Sequence, residues 1–212
     1  MTSFTRPPHR EPLRRAAATG VTAAVVLFLS ACGGNGDDTS GRDHGGHDSS
    51  ASAAPGAGSF NDADVTFAQL MVPHHEQALQ MAALAGARAS DTQVKDIAAK
   101  IEKAQDAEIR TLKGWLKSWK APTAMESMPG MDHHGGDGMM TGTDMKRLED
   151  MKGAAFDKAF AEMMVDHHNG AIGMARDEQR HGENTGAVRM AGDIVEGQSA
   201  EVAQLKGILD RL

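Results

Sequence analysis

From Asn61 onward apolar positions recur every three or four residues, and nowhere do they alternate along a strand-length run. Ile97, Ile101, Ile109, Leu112 and Leu116 make one such stripe, so the pattern predicts helices and no strands. Capping residues divide it. Asn61 or Asp62 opens a helix that runs to about Arg88, and Asp91 opens a second that runs to about Trp119. Thr143 or Asp144 starts a third, which continues with a break near Gly153 to about His181. Gly182 stops it, and Asn184 or Thr185 opens the last helix. Four helices in two antiparallel hairpins predict an all-α four-helix bundle.

The two hairpins are copies of one unit. Shifted by 93 residues, 67–116 align with 160–209 without a gap, and FAQLMVPHHEQALQMA falls on FAEMMVDHHNGAIGMA. Identical pairs include Met71 with Met164, His74 with His167, His75 with His168, Met81 with Met174, Gln105 with Gln198 and Glu108 with Glu201. A site built from these residues is therefore built twice or shared between the copies. The copies differ at Pro73, which matches Asp166; a proline inside a helix removes a donor and predicts a kink or widened turn just before His74.

At 100° per residue, Met71, His74, His75, Ala78 and Met81 fall within an arc of about 120°. On the partner helix Ile101, Gln105, Glu108 and Leu112 share a stripe as well, which directs a carboxylate and an amide toward the core. A buried carboxylate is costly unless it is paired or binds metal, and the histidines across the hairpin are the expected partners. Two readings stay open. One is a polar layer that fixes helix register; the other is a metal site. Repetition at identical offsets favours the metal site, with Met71, His74, His75, Met81 and Glu108 as candidate ligands in one copy and Met164, His167, His168, Met174 and Glu201 in the other. Imidazole suits copper, zinc, iron and nickel, and thioether sulfur narrows the choice toward Cu(I). A ligating imidazole must be neutral, so such a site is expected to lose metal in acid, whereas a thioether site is not.

The linker between the copies, residues 121–143, adds MESMPGMDHHGGDGMM. Its Met125, Met128 and Met131, with His133 and His134, lie in a Gly-rich segment that has no core to fill. Soft-metal ligation explains the sulfurs; a loop whose methionines dock on the bundle or act as oxidisable bait is the competing account.

Residues 1–31 read as a signal peptide: Arg6, Arg10, Arg14 and Arg15 precede an apolar run from Ala16 to Leu29 that is short for a membrane span. LSAC, ending at Cys32, resembles the bacterial lipoprotein signal, which implies cleavage before Cys32 and lipid attachment to its sulfur. Cys32 is the single cysteine, which leaves none for a disulfide or a thiolate site. Residues 32–59 are Gly, Ser, Ala and Asp with almost no large apolar group, and they read as a flexible tether. Within it His44 and His47 are read as solvated rather than ligating. Residues 60–212 form the folded domain. Removing 1–31 leaves 18 basic against 28 acidic residues, a balance that excludes nucleic acid as a partner.

MMVDHHNGAIGMA, its copy LMVPHHEQALQMA, the pairs Gln105/Glu108 and Gln198/Glu201, and the MPGM linker together resemble the bacterial family known as domain of unknown function 305, over residues 60–212. The resemblance implies a ferritin-like bundle, exported or lipid-anchored, with copper-binding members in the periplasm. It implies ligand roles for His74, His75, Met71, Met81, His167, His168, Met164 and Met174, with the linker methionines as a second site. The function expected is an extracytoplasmic, membrane-anchored protein that binds Cu(I) or Cu(II) and buffers it or exchanges it with a donor or acceptor protein. The alternatives are a metal-dependent oxidoreductase on a ferritin-like bundle, or a metal-free structural lipoprotein. One inward glutamate per hairpin argues against a di-iron centre, which draws on four glutamates.

Overall fold

The computed structural model describes residues 58–123 and 138–212, and these are helical throughout apart from turns and connections. Helix α1 spans Asp62–Arg88, α2 Thr92–Ser118, α3 Gly142–Asp150, α4 Ala154–His181 and α5 Thr185–Leu209. Sequence signals set most of the ends. The Asn61 side chain accepts from the backbone N–H groups of Ala63 and Asp64 while Asp64 accepts from that of Asn61, a reciprocal cap. Asp91 and Asn184 cap α2 and α5 from one side only, their side-chain oxygens accepting from first-turn backbone N–H groups.

Two expectations need correction. The described residues hold five helices rather than four, because the expected third helix is two. The chain leaves α3 at Met151 in an extended conformation and enters α4 through Gly153, whose φ of 62° and ψ of −146° suit glycine alone. Helix α3 starts at Gly142 with Thr141 as its cap, so the linker ends before residue 143. Second, no widened turn forms before His74: α1 stays α-helical through Pro73. Pro73 is exposed while Met71, Val72, His74 and His75 on either side are buried. Tertiary packing of those neighbours outweighs the single lost backbone bond.

Three-residue turns fold α1 against α2 and α4 against α5, and the two hairpins meet chiefly along α1 and α4. These two central helices run antiparallel. Asp64, at the start of α1, accepts from the backbone N–H groups of Glu183 and Asn184 just beyond the end of α4. Asp157, at the start of α4, accepts from those of Ser90 and Asp91 just beyond the end of α1, and from the Ser90 hydroxyl. Asp64 and Asp157 are themselves 93 residues apart, so each copy uses the same buried carboxylate to hold the other copy's turn.

The core fills the space on either side of the α1–α4 seam. Met81, Ile97, Ile101, Phe156, Phe160, Met164 and Leu205 are fully buried in one cluster; Met71, Leu112, Trp115, Leu116 and Ala191 belong to the other. Each large buried apolar side chain contributes about 1.5–3 kcal/mol. Phe60, just ahead of α1, stacks on Trp119 with ring centroids 5.0 Å apart, and the Ser59 carbonyl accepts from the Asn184 side-chain amide, which seats the start of the domain on the ends of α2 and α5. No helix among the described residues is long and apolar enough to cross a membrane.

Candidate metal centre

Helices α1 and α4 cross where their histidine pairs lie. His74 and His167 stack across the seam with ring centroids 3.7 Å apart and planes tilted by 37°. His75 and His168 flank them, each 6.4 Å from its own neighbour, so four imidazoles form one layer. All four are buried. Met71 and Met164, one turn before them on the same faces, are fully buried too.

The second hairpin helices hold the outer imidazoles. His75 Nε2 lies 2.6 Å from a Glu108 oxygen, and His168 Nε2 lies 2.7 Å from a Glu201 oxygen. Each glutamate is about a quarter exposed, so its carboxylate stays partly solvated while the imidazole is wholly enclosed. Glu108 and Glu201, expected both as partners of the histidines and among the candidate ligands, engage the imidazoles across each hairpin. With Nε2–H donating to the carboxylate, Nδ1 carries the lone pair, and in both His75 and His168 that atom is buried with no hydrogen-bond partner. Neither ring nitrogen of His167 makes a well-formed hydrogen bond, nor does either side-chain polar atom of Gln105 or the carbonyl oxygen of Gln198, both of which are also buried. Buried polar atoms rarely stand unpaired, and here they gather on the faces that the repeat singles out.

Electrostatics keep His167 neutral. Desolvation, then the neighbouring His74, His168 and His75 rings, hold His167 far below the usual histidine range, and the backbone of His74 opposes this only weakly. The acid sensitivity expected of an imidazole ligand therefore does not extend to His167.

The donor chemistry fits copper: neutral imidazole lone pairs beside thioethers in a dry layer. Among the described residues no three His, Cys, Asp or Glu side chains are already gathered as a metal site. Copper would thus draw on the thioethers, or on rotation of the stacked rings. Met81 is fully buried, but its copy Met174 is only half-buried and lines a cavity near the end of α4. Met125, Met128, Met131, His133, His134 and Cys32 lie outside the described residues. The linker's far end does reach the centre. Gly138 packs on α4 so closely that a Cβ there would stand 2.5 Å from the Asp166 carbonyl and 3.1 Å from His167 Cα. The Gln77 side chain clasps Met140 through two hydrogen bonds, 2.7 and 2.9 Å long, to its N–H and carbonyl.

One group was not foreseen from the sequence. Glu178 is 2 % exposed and faces the Asp64 carboxylate. Desolvation, then coupling to Asp64, pushes its carboxyl up to about 8. With His181 it makes a Glu-x-x-His spacing, the signature of di-iron bundles, but His181 is exposed and the corresponding residues of the other copy are Ala85 and Arg88. A di-iron pair is not formed from it.

No curated protein matches the chain. Solved structures do. A DUF305 protein of Streptomyces coelicolor, described as secreted, is 30% identical with a TM-score of 0.65, over 70% of this chain and 93% of that one. A DUF305 fragment from Deinococcus radiodurans is 28% identical with a TM-score of 0.65, over 72% and 98%. CopM in its Cu(I)-bound form is 29% identical with a TM-score of 0.60, over 70% and 96%, and CopM matches in Cu(II)-bound and Ag-bound forms as well. The family model for the domain of unknown function (DUF305) matches residues 64–209. All-helical, duplicated about a histidine layer and matched over most of its length, the chain belongs to the DUF305 family.

Proposed function

We propose that this protein binds copper outside the cytoplasm, and buffers it or passes it on, with the buried imidazole layer as the principal site. His74, His75, His167 and His168 supply nitrogen ligands, Met71 and Met164 supply thioethers, and Glu108 and Glu201 orient the outer rings. The observation that carries this reading is the set of unpartnered ring nitrogens of His75, His167 and His168 enclosed at the α1–α4 crossing. Similarity to CopM, solved with Cu(I), Cu(II) and silver, supports a soft metal over zinc. Met81 and Met174 continue the same helix faces, and Met125, Met128, Met131, His133 and His134 form a second, linker site. A buffering or transfer role, rather than redox catalysis, accords with ligands that are all accounted for by binding.

The test is titration of the untagged mature protein with Cu(I) and Cu(II), alone and with His74→Gln, His75→Gln, His167→Gln and His168→Gln combined. The expected result is loss of the tightest site with the helical circular-dichroism spectrum retained; unchanged stoichiometry and affinity in the folded variant would remove the proposal.

Export and anchoring belong to the same reading. Residues 1–31 direct export, Cys32 carries lipid, and 32–59 tether the domain to the membrane, where copper arrives from outside. Secretion described for the Streptomyces coelicolor protein supports the compartment. Cys32→Ala is expected to release the protein from membranes or leave it unprocessed; normal processing and membrane retention would count against the anchor.

A further inference from the structure

Between the first half of α1 and the last turns of α4 lies a cavity of about 360 Å³, with Thr66, Leu70, Asp177 and Glu178 in its wall. The repeat supplies its counterpart. Shifted by 93 residues these positions become Ala159, Met163, Leu84 and Ala85, on the opposite halves of the same two helices. There the groove is filled. Helix α3 lies across it: Leu148 is fully buried in the cluster that includes Ala85, and Met145 and Met151 pack against that cluster together with Leu84, Ala159 and Met163. The bundle thus contains one groove twice, covered in one copy by a short amphipathic helix and open in the other among the described residues.

The open copy differs in charge. Leu84 and Ala85 are replaced by Asp177 and Glu178, and Asp62 stands at the rim. Glu178 is almost wholly buried against Asp64, and the exposed carboxylates of Asp62 and Asp177 give the rim its negative charge. Phe67 and Leu70 keep the apolar wall that α3 uses in the covered copy. The chain's own segment at the position corresponding to α3, residues 49–58, is SSASAAPGAG, which has neither the large apolar side chain nor the cation that such a wall would take.

We propose that the open groove docks a short basic amphipathic helix of a partner protein. Its Leu or Met side chains lie on Phe67 and Leu70 as those of α3 lie on the covered groove, and its Lys or Arg side chains meet Asp62 and Asp177. The acidic balance of the chain, −7 overall, attracts such a helix from a distance. The anchor is helix-in-groove recognition, for which α3 is the internal template.

The experiment uses the metal-free mature protein, so its outcome is independent of the copper reading. The probe is a synthetic peptide with the sequence of residues 140–152 carrying D144K, E149K and D150K, titrated while backbone amide resonances are followed. Saturable shifts in residues 62–70 and 174–181 are expected, weakened about tenfold or more by Leu70→Lys and, independently, by the exposed-site change Thr66→Lys. Affinity should also fall as salt is raised. Three results would each overturn the proposal: no binding at about 1 mM peptide, binding indifferent to both substitutions in folded protein, or equal binding of the unaltered sequence, whose acidic and basic side chains balance.

Discussion

Single residues decide where strain and charge sit in this bundle. Gly138 combines a φ of 76° with a backbone contact that a methyl group would enter, so Gly138→Ala is strained twice over. Its expected cost is about 1–3 kcal/mol, visible as a lower urea midpoint. A midpoint equal to the wild type would mean that Gly138–Met140 is not fixed on α4. Glu178 makes a pH-dependent contribution whose sign can be worked out. Its carboxyl titrates near 4.5 in an unfolded chain and near 8 in the fold, so between these values the folded protein keeps a proton that the unfolded chain gives up. The neutral acid is thus compatible with burial, and stability is lost as pH rises through about 8. Glu178→Gln keeps the shape without the titration. Between about pH 5 and about pH 9 the wild type should lose about 4 kcal/mol relative to the variant. Parallel denaturation profiles for the two proteins would contradict the buried-acid account.

At the scale of the helix and turn, the reciprocal latches matter most. Asp157 holds the Ser90 and Asp91 N–H groups and the Ser90 hydroxyl, and Asp64 does the same work for Glu183 and Asn184. Removing such an acceptor leaves several donors unsatisfied, so Asp157→Ala should cost about 2–3 kcal/mol by chemical denaturation. A change under about 0.5 kcal/mol would show that the turn finds other partners. Much of this scale was legible beforehand. Asn61, Asp91, Asn184 and Gly182 mark helix ends because their side chains, or lack of one, satisfy or release terminal backbone groups. The break near Gly153 was legible, but the extended Met151 that makes α3 a separate helix was not, because Met145 and Leu148 continue a helical spacing. Pro73 misled in the opposite sense, since its ring faces solvent and its neighbours hold the helix. The latches escaped notice because Asp64 and Asp157, though 93 residues apart, lie just outside the block 67–116 in which the copies match best. Glu178 had no signal in the repeat at all, since its counterpart is Ala85; an acid among apolar positions at the end of α4 was the clue that the sequence offered.

For the molecule as a whole, duplication does what one hairpin alone does not. A single hairpin supplies two imidazoles and one orienting glutamate, and only the crossing of α1 and α4 brings His74 onto His167 and encloses the layer. The inward direction of Met71, His74, His75 and Met81 could be read from spacing, and so could the His–Glu partnership across each hairpin. Which nitrogen each glutamate takes could not, because that depends on the separation and rotation of the packed helices. The described end of the linker, Gly138–Met140, is clasped on α1 and α4 beside His167.

Whether the buried layer itself holds copper, independent of that linker, is tested most directly by Cu(I) titration with X-ray absorption at the copper edge. The protein for it carries Met125→Leu, Met128→Leu, Met131→Leu, His133→Asn and His134→Asn. The account predicts that this variant still binds copper, with imidazole scattering in the spectrum, and that adding His74→Gln and His167→Gln abolishes the binding while the helices remain. A folded linker variant that binds no copper, or copper spectra unchanged by the two histidine substitutions, would contradict it.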